Sequence, residues 1–75
     1  MGRLAGFSGR EVGRVAEQHG WVIRRQAGSH RMFTKPGERS TLSIPDHRSV
    51  DEGLLRDLIR RMGLTVDEFL SIARK

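Results

Sequence analysis

With 75 residues, the chain reads as one small domain, residues 1–75, with its structured core over about residues 6–73. A domain this size buries only about 60% of the surface its unfolded chain exposes, so a second core and a deep internal pocket are excluded and any large ligand must bind on the surface. Cysteine is absent and the formal charge is +5, which excludes a disulfide framework and thiolate metal sites and points to polyanionic partners in a reducing compartment.

Residues 8–19 read as a helix. Ser8 and Glu11 form a capping box, and Phe7 and Val12 are placed as a hydrophobic staple. Val12, Val15 and Ala16 follow helical spacing and mark the buried stripe. Gly20, directly after His19, is a stop signal. Residues 21–27 then read as a strand, with Trp21 and Ile23 on one face and Val22 and Arg24 on the other. Ala27-Gly28-Ser29 is a short turn into the next strand, residues 30–35. Here His30, Met32 and Thr34 share one face, and Arg31, Phe33 and Lys35 share the opposite one. Phe33 is the strongest core candidate. If it points toward the helices, His30 points to the more open face. Trp21 and Phe33 are read as core, not as base-stacking platforms.

Pro36-Gly37 turns the chain. Residues 41–44 form a third strand in which Leu42 and Ile44 alternate, and Pro45 closes it. A second helix is expected over about residues 50–62, with Leu54, Leu55, Leu58, Ile59 and Met62 as a continuous apolar stripe. Gly63 ends it and Leu64 is placed for the accompanying contact. Thr65 with Glu68 is another capping box, opening a short helix over residues 66–73 with the stripe Val66, Phe69, Leu70 and Ala73. The fold class is α+β. Short connections make the sheet an antiparallel meander of three strands, and with one core the helices must cover one face of it.

Charge is unevenly spread. Residues 1–50 hold nine Lys/Arg against four acids, whereas residues 51–75 hold five of each. Polyanion affinity is therefore assigned to the first two-thirds of the chain; a merely solubilising surface is the plainer reading. No run approaches the ~20 apolar residues of a membrane span, and MGRLAGFSG lacks the apolar stretch of a signal peptide. The expectation is a soluble, cytoplasmic protein.

The one constellation with chemical content is Gly28-Ser29-His30 among the cations Arg24, Arg25, Arg31 and Lys35. Histidine exchanges protons near neutral pH, and the cations would hold a phosphodiester. Glycine upstream allows a sharp turn and close approach of a substrate backbone. In the corresponding reaction, neutral His30 accepts the proton of a ribose 2′-hydroxyl, the oxyanion attacks phosphorus, and the 5′-oxygen leaves. A positioned base is worth about 10²–10⁴-fold, with Arg or Lys near the developing charge. DNA, lacking the nucleophile, would not be cut. Gly28 shapes the turn; Ser29 offers a hydroxyl or amide to the phosphate; Arg24, Arg25, Arg31 and Lys35 bind backbone.

The acid for the leaving group is open between His47, Lys35 and water. His47, in Ile44-Pro45-Asp46-His47, takes a supporting role, with Asp46 beside it to hold one tautomer. His19, at a helix C-terminus, is explained by the helix dipole. No His/Asp/Glu pair stands at the spacing of a transition-metal site, so no metal and no other cofactor is expected.

Taken together, GFSGREV, HGW, RQAGSHRMF, IPDH and LLRDLIRRMGLTVDEFL resemble the HicA family of toxins, from Gly6 to about Leu70. The resemblance implies a fold like that of double-stranded-RNA-binding domains, α-β-β-β-α. It implies an mRNA interferase, a cytoplasmic ribonuclease toxin of a type II toxin–antitoxin pair. Its activity would rest on the histidine of the G-[GS]-H element, here His30. A HicB-type antitoxin would cover the active face, and DNA would be contacted only through that complex. One departure stands out: where family members often carry proline before the helix-opening glycine and threonine after it, this chain reads Asp51-Glu52-Gly53-Leu54. That bears on the helix boundary more than on activity.

Two other readings fit the same residues. One is an RNA-binding module without catalysis, holding duplex RNA by shape and phosphate contacts. The other is an interaction domain whose basic face docks an acidic protein.

Overall fold

Two capping boxes and two glycine stops set the helix boundaries. The computed structural model describes residues 2–74. In chain order it has helix α1 (Gly9–Gln18), strands β1 (Val22–Ala27), β2 (His30–Thr34) and β3 (Leu42–Pro45), and helices α2 (Glu52–Arg61) and α3 (Val66–Ala73). Ser8 and Glu11 cap α1 reciprocally, and Thr65 and Glu68 do the same for α3. Asp51 accepts from the Leu54 N–H at 3.1 Å and caps α2.

Both longer helices end in the same hydrogen-bonded stop. After α1, Gly20 N–H donates to Glu17 and Trp21 N–H to Ala16; after α2, Gly63 donates to Arg60 and Leu64 to Ile59. These are the paired bonds of a Schellman motif, whose second residue brings an apolar side chain back against the helix. Trp21 is therefore buried by the end of α1, and it precedes β1 instead of belonging to it.

The three strands form one antiparallel sheet in the order β1-β2-β3. The architecture is α-β-β-β-α with a short C-terminal helix, consistent with the double-stranded-RNA-binding-domain fold that the resemblance implied. Phe33, Leu42 and Ile44 turn one face of the sheet inward. They join Val12, Val15 and Ala16 of α1, Leu55, Leu58 and Ile59 of α2, and Phe69 and Leu70 of α3 in one buried cluster. Phe7 meets Phe69 edge-on with ring centroids 5.1 Å apart. Leu4 and Val50, which helical and strand periodicity do not single out, are also fully buried there.

Ile23 lies on the core side, opposite Phe33, but β1 is an edge strand and Ile23 stays 40% exposed. One expectation about the second helix needs correction. Leu54, assigned to the buried stripe of α2, is 37% exposed and borders an open groove beside β3.

Candidate active site

The turn carrying His30 is as short as a hairpin allows. Ala27 pairs with His30, leaving Gly28-Ser29 as a two-residue loop. Gly28 has φ +60, and no residue other than glycine among those described has positive φ. Those signs match a type II′ turn, the connection that suits twisted hairpins and wants glycine first. The turn is tied down from two sides. Gln26 Nε2 donates to the Gly28 carbonyl at 3.2 Å, and Asp46 N–H donates to the Ser29 carbonyl at 2.6 Å.

His30 points away from the core and is exposed. It shares the open face of the sheet with Met32 and Thr34, while Phe33 is 1% exposed on the opposite side. The ring is not free to swing: Ser43 Oγ lies 3.3 Å from His30 Nδ1. Ser43 stands opposite Met32 in the neighbouring strand and so occupies the same face. Strand alternation carried the missed signal, since Leu42 and Ile44 cannot both face the core unless Ser43 faces the other way.

The basic residues separate into two groups. The β1–β2 register slips by one residue between Ile23 and Arg25. This bulge undoes the alternation. Arg25 comes opposite Met32, on the His30 face, and Arg24 also reaches that face, with Nε donating to Thr34 Oγ1 at 3.0 Å. Arg25 stands one pair beyond His30, about 7 Å along the sheet. The bulge thus gathers two adjacent arginines on one surface, which strict alternation would have split.

Arg31 and Lys35 lie elsewhere. Arg31 shares the core-side face with Ile44, its partner in register. Its Nη2 donates to the Gly9 carbonyl at 2.8 Å, its guanidinium carbon sits 5.8 Å from the Phe33 ring centroid, and its Nε is buried with no partner among the described residues. Lys35, five residues from His30 and roughly 17 Å along the strand, lays its chain over Gly20, where an added Cβ would stand 3.2 Å from Lys35 Cε. Its charge there favours the C-terminal end of α1. The structure does not bring either cation to His30.

His47 is exposed just past β3, and its carbonyl accepts from Gly9 N–H at 2.8 Å. Ser29 is exposed at the turn. Among the described residues, the ring of His30 hydrogen-bonds to Ser43 and not to His47, and no cluster of three His, Asp or Glu side chains could hold a metal ion. No helix is long and apolar enough to cross a membrane. The larger concavity, about 450 Å³ between α2 and α3, lies on the helical side and involves no residue of the His30 face.

A family model described as the HicA toxin of bacterial toxin–antitoxin systems matches residues 9–64. The chain belongs to the HicA toxin family. The matched segment runs from the start of α1 through the stop of α2, so it contains the glycine turn, His30, Ser43 and both open-face arginines. As a HicA toxin it is one half of a toxin–antitoxin pair and has an antitoxin as its partner in kind. No curated protein matches the chain.

Proposed function

We propose that this HicA protein is a metal-independent endoribonuclease that cleaves mRNA in the cytoplasm as the toxin of a type II pair, with His30 as its proton-transfer residue. The observation that carries the reading is the coincidence, on one open face, of an exposed histidine anchored through Nδ1 with two arginines gathered by a bulge.

The chemistry follows from that arrangement. Ser43 engages Nδ1 and leaves Nε2 for the substrate. Neutral His30 takes the 2′-hydroxyl proton at Nε2; the 2′-oxygen bonds to phosphorus; the bond to the 5′-oxygen breaks. A 2′,3′-cyclic phosphate and a 5′-hydroxyl result. The guanidinium of Arg25, and that of Arg24 beyond it, hold the flanking phosphates and offset charge developing on the phosphorane. Gly28 lets the RNA backbone approach the turn, and Ser29 presents its exposed hydroxyl there. The leaving oxygen takes its proton from water or His47; Lys35 is too distant. A HicB-type antitoxin would inhibit by covering this face, and DNA contact would belong to the antitoxin part of the complex.

The test pairs an RNA with its analogue carrying one 2′-deoxy residue at the cleaved position. Wild type should cut the first and spare the second, with unchanged rates in EDTA. His30→Ala should cut neither while retaining fold and RNA binding. Equal cleavage by wild type and His30→Ala would remove His30 from the chemistry, and binding without cleavage by wild type would leave only the RNA-binding module.

A further inference from the structure

We infer that the groove between β3 and α2 is the subsite for the nucleobase flanking the bond that His30 cleaves. The inference rests on the ribonuclease reading above and adds to it a place where sequence is read.

The groove, about 240 Å³, is lined by Thr41, Ser43, Leu54, Asp57, Leu58 and Arg61. That is below the ~300–1,000 Å³ of sites that enclose whole small molecules, a size suited to one planar base with its sugar outside. It adjoins the reacting group through a shared side chain, since the Ser43 hydroxyl that lines the groove also lies 3.3 Å from His30 Nδ1. Thr41 and Ser43 stand on alternate positions at the β3 edge, so both hydroxyls present to the same side.

The walls match a base in chemistry. Leu54 is one of three large hydrophobic side chains left exposed among the described residues, and it is the one at this groove. An apolar side chain open to water gains by being covered, and a base laid on it would cover it. Two hydroxyls, each able to donate or accept, then meet the base edge. Arg61 is held in place, its Nε donating to Asp57 at 2.9 Å, and Arg60 binds the same carboxylate. The Arg60 hydrogen bond first, and the Arg61 hydrogen bond second, hold the Asp57 carboxyl below its usual range, so the anchor is ionised at neutral pH. Within the groove Asp57 and Arg61 offset each other, while Arg60 lies on the side of the α2–α3 concavity, so Arg61 offers its remaining N–H donors to a base or phosphate without a net charge at the lining.

A protein side chain would fill an apolar groove too. Two hydroxyls, one of them against the His30 ring, beside an exposed leucine and a lining without net charge favour a nucleobase over the acidic surface of an inhibitor.

The experiment uses a synthetic RNA library randomised around one cleavable position. Wild type, Leu54→Asn, Thr41→Val, Arg61→Gln and His30→Ala are compared by sequencing the cut ends, with thermal unfolding confirming that each is folded. The inference expects base preference next to the cut to fall about two- to tenfold in Thr41→Val, the equivalent of one hydrogen bond. It expects cleavage of all sites to fall in Leu54→Asn with little change in preference, because an apolar contact under a base is tolerant of sequence. Thr41→Val, which keeps shape and loses only the hydroxyl, guards against a folding defect at Leu54. If wild type cuts and these variants cut the same positions at the same rates, the subsite is overturned and the His30 mechanism stands. If they cut normally but no longer bind the antitoxin, the groove belongs to a protein and the inference is likewise overturned. If wild type cuts no better than His30→Ala, the reading of His30 as the reacting group fails and takes the subsite with it.

Discussion

Arg31 Nη2 donates to the carbonyl of Gly9 at 2.8 Å, bolting the middle strand to the first turn of α1. The fit is close on both sides. A Cβ on Gly13 would stand 3.0 Å from that guanidinium and 3.3 Å from the Phe33 ring, and a Cβ on Gly9 would fall 1.9 Å from the Pro45 carbonyl oxygen. Arg31 is thus a cation of the fold. Arg31→Met is expected to cost about 1.5–3 kcal/mol, the range for a lost hydrogen bond to a charged group. Urea unfolding measures the loss. The salt dependence of RNA binding should stay as in wild type, which separates Arg31 from the open-face arginines.

Ser43→Ala addresses the anchoring of the His30 ring, the proposed proton-transfer group. Without Oγ at Nδ1 the exposed His30 samples more rotamers, so kcat should fall by about two- to tenfold, the equivalent of one ordinary hydrogen bond. KM should hold, and Ser43→Thr should recover most of the rate. Steady-state kinetics on a short RNA decides it; an unchanged kcat would show that the ring needs no anchor.

The bulge allows an unusual deletion. Six residues of β1 face five of β2, and Arg24 is the extra one. Removing Arg24 outright leaves Val22, Ile23, Arg25, Gln26 and Ala27 in their present pairings. The shortened protein should fold, and lose one phosphate contact. Binding plotted as log affinity against log salt should flatten by about 0.7 for single-stranded RNA. Arg25→Ala should flatten it equally. A deletion that unfolds the protein would show that the bulge also carries stability.

Gly28 offers a cleaner backbone test. No atom lies within 4 Å of where its Cβ would be, so substitution meets no clash and any cost comes from φ +60 alone. Gly28→Val is expected to lose about 1–2 kcal/mol. Gly28→Asn, a residue that tolerates this region, should lose less. Urea midpoints of the two variants, run side by side, give the difference.

Much of the architecture is written in short stretches of sequence. Ser8/Glu11 and Thr65/Glu68 cap helices through bonds three residues apart, and Gly20 and Gly63 stop them just as locally. Alternation along residues 30–35 places Phe33 inward and His30 outward with nothing further needed. What escaped depends on other strands. The slip at Arg24 exists only relative to β2, and it alone brings Arg25 to the His30 face. Arg31 reads as one more surface cation until α1 is docked beside it. Trp21 looks like a strand residue because its burial comes from the helix stop before it. Leu54 continues a helical stripe in sequence, and the open groove it borders exists only once α2 is docked beside β3. Ser43, flanked by two core residues, is unremarkable until β3 is laid against β2.

The segregation of the two sides of the sheet has a practical corollary. The buried cluster lies behind the strands, and His30, Ser43, Arg24 and Arg25 lie in front of them. On the proposed reading, an antitoxin laid over the front would silence the protein without loosening it, and removing that cover would restore activity with no refolding step in between.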